Sequence, residues 1–394
     1  MPLMASSRRS AGFARFAKYM GLRATSVAVS LLIAIFLLVF IAHLGGKLDE
    51  IVFEEVKSHV RNKLIDVTYS TQLREACRLT CEGKIAAGEY KADEMEKCIN
   101  KCIDYKITEE AKIILKGMGI DLDQPAWVRI FAYYRRVLVF DLGTSRRLYS
   151  YETRSQDVKT IIAEALPRTI LLFTTADVII FFMELFISLA LSRRYGTLID
   201  RIAISLSPLS SMPGWFYGMV LVLLLGIWYP VFPSGGWISE TPPENPVLRA
   251  LDVAYHMVLP ILSWVIAYVP IGVYSYRTFF LLFSTEEYVE YAKARGVPES
   301  TLLRRYILRP TLPPIITSFV LTIISSWMGA IITERIFRWP GLGTILYSAI
   351  GGGIYIDAPV IVGITTIYAY LLAVSVLVLD IVYGIVDPRV RVGE

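Results

Sequence analysis

Residues 284–314, STEEYVEYAKARGVPESTLLRRYILRPTLPP, form the longest polar, helix-forming stretch between two apolar spans. Ser284 can act as an N-cap, and Glu287, three residues on, completes a capping box. Helix formers follow until Gly296, which is placed to end the helix in a left-handed conformation. Pro298 suits the first turn of a second short helix. Arg304, Arg305 and Arg309 mark the cytoplasmic side of a membrane. The stretch therefore reads as a helix–glycine–helix element facing the cytosol between two spans. It offers Tyr288, Val289, Tyr291 and Ala292 for burial, flanked by Glu287, Glu290, Lys293 and Arg295. An exposed polar element with such an apolar strip reads as a docking site. An ordinary solvated loop helix is the plainer alternative.

The chain has 394 residues, 55% of them hydrophobic, and a mean hydropathy of +0.52. Soluble domains lack apolar runs of 20 residues. This chain has six such runs: Ala24–Leu44, Ile170–Leu191, Leu209–Val231, Val253–Tyr274, Leu312–Ile332 and Ala358–Val382. The fold class is therefore an all-α membrane protein with six transmembrane helices. The first run is longer than the apolar core of a signal peptide and reads as an uncleaved helix. The four segments assigned inside carry sixteen Lys and Arg, and the two short outside loops carry three. This bias places both termini in the cytoplasm of a multi-pass plasma-membrane protein. The net charge of +5 belongs to that asymmetry, not to nucleic-acid binding, and the lipid bilayer is the expected surrounding.

Residues 1–46 make the N-terminus and first span, 47–167 an external segment, and 168–394 a five-helix core containing the loop 284–310. The charged, helix-prone part of the external segment, about 48–115, reads as a helical insert. All four cysteines lie there, as Cys77-x3-Cys81 and Cys98-x3-Cys102. Cysteines at i and i+4 share a helix face, and Gly83 and Gly88 lie between the pairs. Four cysteines allow three connectivities. The nested one, Cys77–Cys102 with Cys81–Cys98, is the most natural for an antiparallel hairpin. A four-cysteine zinc site has compatible spacing, but an oxidising exterior favours disulfides, and no metal is assigned.

Glu290, Ala292 and Gly296, with the glycine six positions after the glutamate, resemble the EAA loop of ABC-transporter permeases. The later part departs from that pattern: Leu308 fits, but Tyr306 stands for isoleucine, Arg309 for proline, and Pro310 comes one place late. Gly119-Ile120-Asp121-Leu122-Asp123-Gln124-Pro125, Asp141-Leu142-Gly143-Thr144-Ser145 and Leu166-Pro167-Arg168-Thr169 resemble segments of dipeptide/oligopeptide-class permeases. So do His256-Met257-Val258-Leu259-Pro260, Trp339-Pro340-Gly341-Leu342-Gly343, Asp380 and Asp387-Pro388-Arg389. The resemblance covers nearly the whole chain except about 48–115. It implies a translocating subunit of an ATP-driven importer for peptides or oligosaccharides, working by alternating access. It also implies a second homologous permease, two cytoplasmic ATPases that bind ATP and Mg, and an extracellular substrate-binding protein. On that resemblance Glu287, Tyr288, Glu290, Tyr291, Ala292, Arg295 and Gly296 would couple to an ATPase.

The chain has no G-x-x-x-x-G-K-S/T phosphate loop, no H-E-x-x-H and no G-x-S-x-G, so it reads as a non-enzyme subunit without a cofactor. A membrane-anchored receptor or structural component with a disulfide-stapled ectodomain is the alternative, but it leaves the inside loop without a role. Asp177 and Glu184 lie seven residues apart on one face of the second span. Intramembrane acids face a bundle interior or a wet path. They either bond to neighbouring helices or line the path, biasing it toward cationic or hydroxyl-rich solutes. Glu334 joins them as a path candidate near an external gate, beside Arg335 and Arg338. Trp339 reads as an interfacial anchor with snorkelling arginines, and His256 as a hydrogen-bonded structural residue. Pro213, Pro260 and Pro270 are positions where spans can kink.

Overall fold

The computed structural model describes residues 3–43, 47–62, 67–87, 90–91, 94–117, 124–145, 147–329, 331–351 and 356–386. Gly88, Gly119–Asp123 and Asp387–Arg389 lie outside them. Among the described residues the regular structure is helical: α1 Leu3–His43, α2 Lys47–Asn62, α3 Val67–Ala86, α4 Met95–Gly117, α5 Ala126–Leu138, α6 Val158–Ser192, α7 Leu198–Ser205 and α8 Gly214–Leu221. Then come α9 Pro246–Ser284, α10 Glu287–Ala294, α11 Glu299–Thr301, α12 Arg309–Gly329, α13 Ile331–Ile336, α14 Leu342–Gly351 and α15 Ala358–Val386. Contacts divide the chain into two compact units, Ile33–Gly143 and a second made of Met1–Leu32 with Thr144–Glu394.

In the first unit, α2 and α4 bury Val56, Val60, Ile107, Ala111 and Leu115 between them. Lys57 and Arg61 both reach Asp104 across this pair, at 3.2 and 2.8 Å. The helices α3 and α4 form a hairpin whose interior is Cys77, Cys81, Cys98 and Ile99. Cys77 is joined to Cys102 and Cys81 to Cys98, with Cα–Cα separations of 5.7 and 6.0 Å. This is the nested arrangement.

In the second unit, α6 and α9 form the central pair. Leu172, Phe173, Ala176 and Ile180 of α6 pack with Met257, Trp264, Val269 and Val273 of α9, and Trp339 closes the cluster. Asp157 caps α6 by accepting from the Thr160 N–H at 3.1 Å, so this helix begins twelve residues before Ile170. The fourth span likewise extends to Pro246–Ser284, past Val253–Tyr274 at both ends. Pro260 and Pro270 both sit inside this unbroken helix.

The third apolar run, expected as one span over Leu209–Val231, is broken. A 3₁₀ turn at Ser207–Ser211 follows α7, and α8 continues as a π-helix, Val222–Trp228. The two halves meet at 91°. The cause is local: Met212 precedes Pro213 and is held extended, at φ −98° and ψ 137°, as a pre-proline residue must be. Beyond the bend, Gly214 and Gly218 are obligatory. A β-carbon there would lie 2.9 Å from Trp264 Cδ1 or from Phe337 Cε2. Among the described residues five helices are long and apolar enough to cross a membrane, or six if the bent pair is one span.

The fifth span also differs from its expected limits. It runs Glu299–Met328 as a continuous helix, through a π-helical segment at Leu302–Leu308. The second loop helix expected after Pro298 is continuous with this span, and the Tyr306 carbonyl, which Pro310 leaves without an i+4 donor, accepts from the Tyr288 hydroxyl.

Non-reducing peptide mapping of the purified protein should recover Cys77 linked to Cys102 and Cys81 to Cys98. Removing either bridge should weaken the hairpin by about 3 kcal/mol on the loop-entropy model, read as a lower denaturation midpoint of the insert. Free thiols at these four positions would contradict the pairing.

Candidate coupling element and solute cavity

The helix–glycine–helix stretch 284–314 is built around α10. Its start is not the capping box expected at Ser284. Ser284 is the last residue of α9, and its hydroxyl donates to the Leu281 carbonyl at 2.7 Å. Glu286 holds the N-cap position without a side-chain cap bond, because α9 runs further than its apolar stretch implied. The end is a Schellman motif. Gly296 has φ +75°, its N–H donates to Lys293 O at 2.9 Å, and the Val297 N–H donates to Ala292 O at 3.2 Å. Only a left-handed residue permits both bonds, which is why glycine stands there.

Helical periodicity then splits the four residues offered for burial. Val289 and Ala292 turn inward and pack with Phe280, Leu302, Ile307 and Ile315. Ala292 belongs to the chain's own core and has no free surface for a partner. Tyr288 and Tyr291 turn outward and are 41% and 71% exposed. The Tyr288 hydroxyl donates to Tyr306 O at 3.1 Å, which ties the helix to the start of the fifth span. Arg295 lies over the Tyr291 ring at 5.9 Å, while Glu287 and Glu290 are exposed beside it. The outward face is therefore two tyrosines rimmed by two carboxylates and a guanidinium.

One buried ion pair near this element escaped the sequence reading. Arg277 of α9 holds Asp200 of α7 through both oxygens, with Nη2 to Oδ2 at 2.6 Å. The Gly196 N–H donates to the same carboxylate at 2.9 Å, and Tyr195 lies under the guanidinium at 5.2 Å. An arginine near the end of an apolar helix and a lone acid in a basic loop were the available signal.

A cavity of about 410 Å³ opens between α6, α8, α9 and α12. Asp177 and Glu184 both line it, with Tyr268, Tyr276, Ser318 and Ser326 among its polar groups. Asp177 is buried and accepts from the Ser326 hydroxyl at 2.6 Å. Glu184 lies against Gly272, where a β-carbon would collide with the carboxylate. The cavity thus carries two carboxylates on one side and hydroxyls on the other, and its aromatic walls include Phe181, Trp215 and Trp264.

Glu334 is not among the cavity residues. It is fully buried and holds a latch. Thr169 Oγ1 donates to its Oε1 at 2.6 Å, and the Thr344 N–H donates to its Oε2 at 2.9 Å. The Leu342 N–H donates to Thr169 Oγ1 at 2.8 Å. Gly341 and Gly343 pack so closely on the carboxylate that neither position has room for a β-carbon. Burial pushes the Glu334 carboxyl up to about 7, against the opposing pull of these hydrogen bonds. Trp339 is not an interfacial anchor. It is fully buried, and its indole N–H donates to Arg168 O at 3.0 Å. Arg168 in turn sits 4.5 Å over Trp237 and reaches Glu152 at 2.5 Å. Nearby in chain order, Ser145 donates to the buried Asp357 at 2.7 Å. His256 is fixed by its own helix, with Nδ1 2.8 Å from Asp252 O.

Residues 160–392 match the family model described as binding-protein-dependent transport system inner membrane component. The chain is 30% identical over 273 residues to the oligopeptide transport system permease protein AppB of Bacillus subtilis, covering 68% of this chain and 82% of that protein. It is 30% identical over 291 residues to the dipeptide transport system permease protein DppB of Lactococcus lactis, covering 73% and 87%. For DppB of Escherichia coli the identity is 27% over 297 residues, covering 69% and 83%.

The latch has a defined pH dependence. Its carboxyl titrates about 7 when folded against 4.5 as an ordinary glutamate, so the folded chain holds the proton more tightly. This group's stabilising contribution is complete below the ordinary value and is lost as pH rises through 7. The thermal midpoint of the purified protein should fall between about pH 5 and pH 8. Glu334→Gln should flatten that slope while lowering the midpoint at the acid end, because its amide nitrogen cannot accept a bond. A slope unchanged in the variant would remove Glu334 as its source.

Proposed function

Because the chain belongs to the family of binding-protein-dependent transport system inner membrane components, we propose that it is the translocating permease subunit of an ATP-driven importer whose solutes are peptides. The relatives' own names specify dipeptides and oligopeptides, which favours peptides over oligosaccharides. Nothing in these relatives favours an anchored receptor. The subunit works beside a second, homologous permease, two ATPases that bind ATP and Mg, and an extracellular substrate-binding protein. Both termini lie in the cytoplasm, and the disulfide-stapled insert lies outside, where an oxidising environment maintains its bridges.

The observation that carries this reading is the outward face of α10, with Tyr288 and Tyr291 exposed between Glu287, Glu290 and Arg295. Aromatic anchors inside a charged rim suit a small, energetically concentrated interface, and here the partner is an ATPase. The packing supports transmission from that face. Val289 and Ala292 grip Phe280 of α9 and Leu302, Ile307 and Ile315 of the fifth span, so a displacement of α10 moves both spans. The Asp200–Arg277 pair ties the loop after α6 to the same end of α9. Closure of the ATPases on ATP rocks the spans toward the outward-open state. Hydrolysis releases them, and the solute leaves inward.

Asp177 and Glu184 line the solute path and favour cationic or hydroxyl-bearing groups, because an unneutralised carboxylate in a membrane interior is costly. Glu184→Gln should reduce transport of peptides carrying extra positive charge more than that of neutral peptides, with subunit assembly intact. Equal effects on both would remove charge selection from this cavity.

The coupling face gives the decisive experiment. A β-carbon at Gly296 meets no atom within 4 Å, so the penalty of substitution is confined to the backbone. A left-handed β-branched residue costs about 1–2 kcal/mol or more. Gly296→Val should therefore leave insertion and folding intact, misaim α10, and uncouple ATP hydrolysis from transport. Tyr291→Ala should weaken ATPase association by about 1–3 kcal/mol, measured by co-purification. Full ATPase recruitment together with full solute-stimulated hydrolysis in Gly296→Val would refute α10 as the coupling element.

A further inference from the structure

Helix α5 lies in the unit Ile33–Gly143, beyond the disulfide hairpin, and its apolar side is broader than its buried residues account for. Ile130 and Val137 are buried. On the adjoining face Trp127 and Phe131 are 67% and 54% exposed. They stand at i and i+4, with the exposed Arg135 at i+8, so all three share one stripe. In water such a stripe would leave two large aromatic side chains uncovered.

The position of α5 along α1 identifies what covers it. The Phe36 ring of α1 lies 5.8 Å from Phe131 and 5.6 Å from Tyr134, edge-on to the latter. Phe36 belongs to the candidate span Tyr19–Ala42. At 1.5 Å per residue it lies about 9 Å below the end of that span at Ala42. The ring contacts therefore hold the middle of α5 at the depth of the acyl-chain boundary rather than in the aqueous phase. Around them, α1 exposes Ile33, Leu37 and Ile41, the side chains of a lipid-facing helix. The stripe on α5 continues that surface.

We propose that α5 is an interfacial helix embedded in the membrane leaflet where α1 ends. Trp127 and Phe131 lie among the upper acyl chains, and Arg135 extends toward lipid phosphates. Tryptophan prefers this level because its ring is apolar and its indole N–H is polar, and arginine reaches the headgroups on its long stem. A helix lying flat in the interface turns part of its apolar side to protein and the rest to lipid, which accounts for apolar residues beyond the buried pair. The assignment depends on the chain spanning a membrane and not on which solute it carries.

The test uses the protein purified with its partner subunits and returned to phospholipid bilayers. A nitroxide is attached at Trp127→Cys, with Lys106→Cys on α4 as an exposed reference. Collision rates with oxygen, which concentrates in acyl chains, and with a water-soluble nickel chelate are compared. The oxygen-to-nickel ratio at position 127 should exceed that at 106 several-fold. A ratio like that at 106 would place α5 in water and overturn the proposal. Suppression of both collisions at 127 would show a protein partner on the stripe and would overturn it equally. Should the labelled variant fail to fold, brominated phospholipids serve with unlabelled protein. The fluorescence lost between the native chain and Trp127→Phe should be the strongly quenched fraction, and an unquenched difference would count against the membrane assignment.

Discussion

A backbone amide in hydrocarbon has no water to bond, so every departure from a helix within an apolar segment must be satisfied by the protein itself. The break at Met212–Pro213 is where this constraint acts most strongly. Tyr217 donates its hydroxyl to Leu209 O at 2.5 Å, which serves the end of the 3₁₀ turn. Ser210, from the same turn, accepts from the Ile271 N–H at 3.2 Å. Ile271 directly follows Pro270, the proline inside α9. The broken segment thus serves the helix locally disturbed by proline, and each irregularity lies where the other can be compensated. Trp264 and Phe337 fill the close approach that Gly214 and Gly218 allow. The central pair, the bent segment and the cavity beside them therefore form one packed system.

At its Trp339 end the same system is held by polar groups instead of bulk. Thr169, Glu334, Thr344 and the Leu342 amide form one network, and beside it Trp339 donates its indole N–H to the Arg168 carbonyl. A buried network of this kind adds specificity only when each member is satisfied. Here the glutamate accepts from a hydroxyl and a backbone amide, and the threonine both accepts and donates. Two glycines give the carboxylate its space. The segments involved, 166–169 and 339–343, are two of those whose order along the chain pointed to a transporter. Their shared role in the structure is to position the loop after the fifth span against the start of α6.

Much of this architecture was legible from apolar length, because a run of 20 uncharged residues has few alternatives to a membrane helix. The cysteine pairing was legible from i, i+4 spacing and a hairpin. What periodicity does not state is which polar context continues a helix. Asp157 starts α6 well before its apolar run. Ser284 closes α9 instead of opening α10, and Glu299 begins the fifth span within a charged segment. In each case the polar turns extend an already nucleated helix at little cost. The bend at Met212 is a different kind of miss: a proline-bearing apolar run reads equally as a kinked span or a broken one. Within the candidate site, Asp177 and Glu184 were legible as intramembrane acids. Glu334 was misread because a latch and a pore carboxylate have the same sequence signature. Ala292 was misplaced because an apolar strip does not say whether its partner is its own chain.

The division of α10 into two faces then has a mechanical meaning. If Val289 and Ala292 also faced outward, the helix would be attached to its own chain only at its ends, and a push on it would be lost in loop motion. Their burial against Phe280, Leu302 and Ile315 makes α10 part of the same packed layer as α9 and the fifth span. Close-packed interiors transmit displacement because they have little free volume to absorb it. The Schellman turn at Gly296 keeps that attachment short, with only Val297 and Pro298 between the left-handed residue and Glu299 at the start of the fifth span. A short, satisfied turn joining a buried half-helix to a span is therefore stiff. Helical periodicity alone turns the two tyrosines, rather than the buried pair, away from that layer.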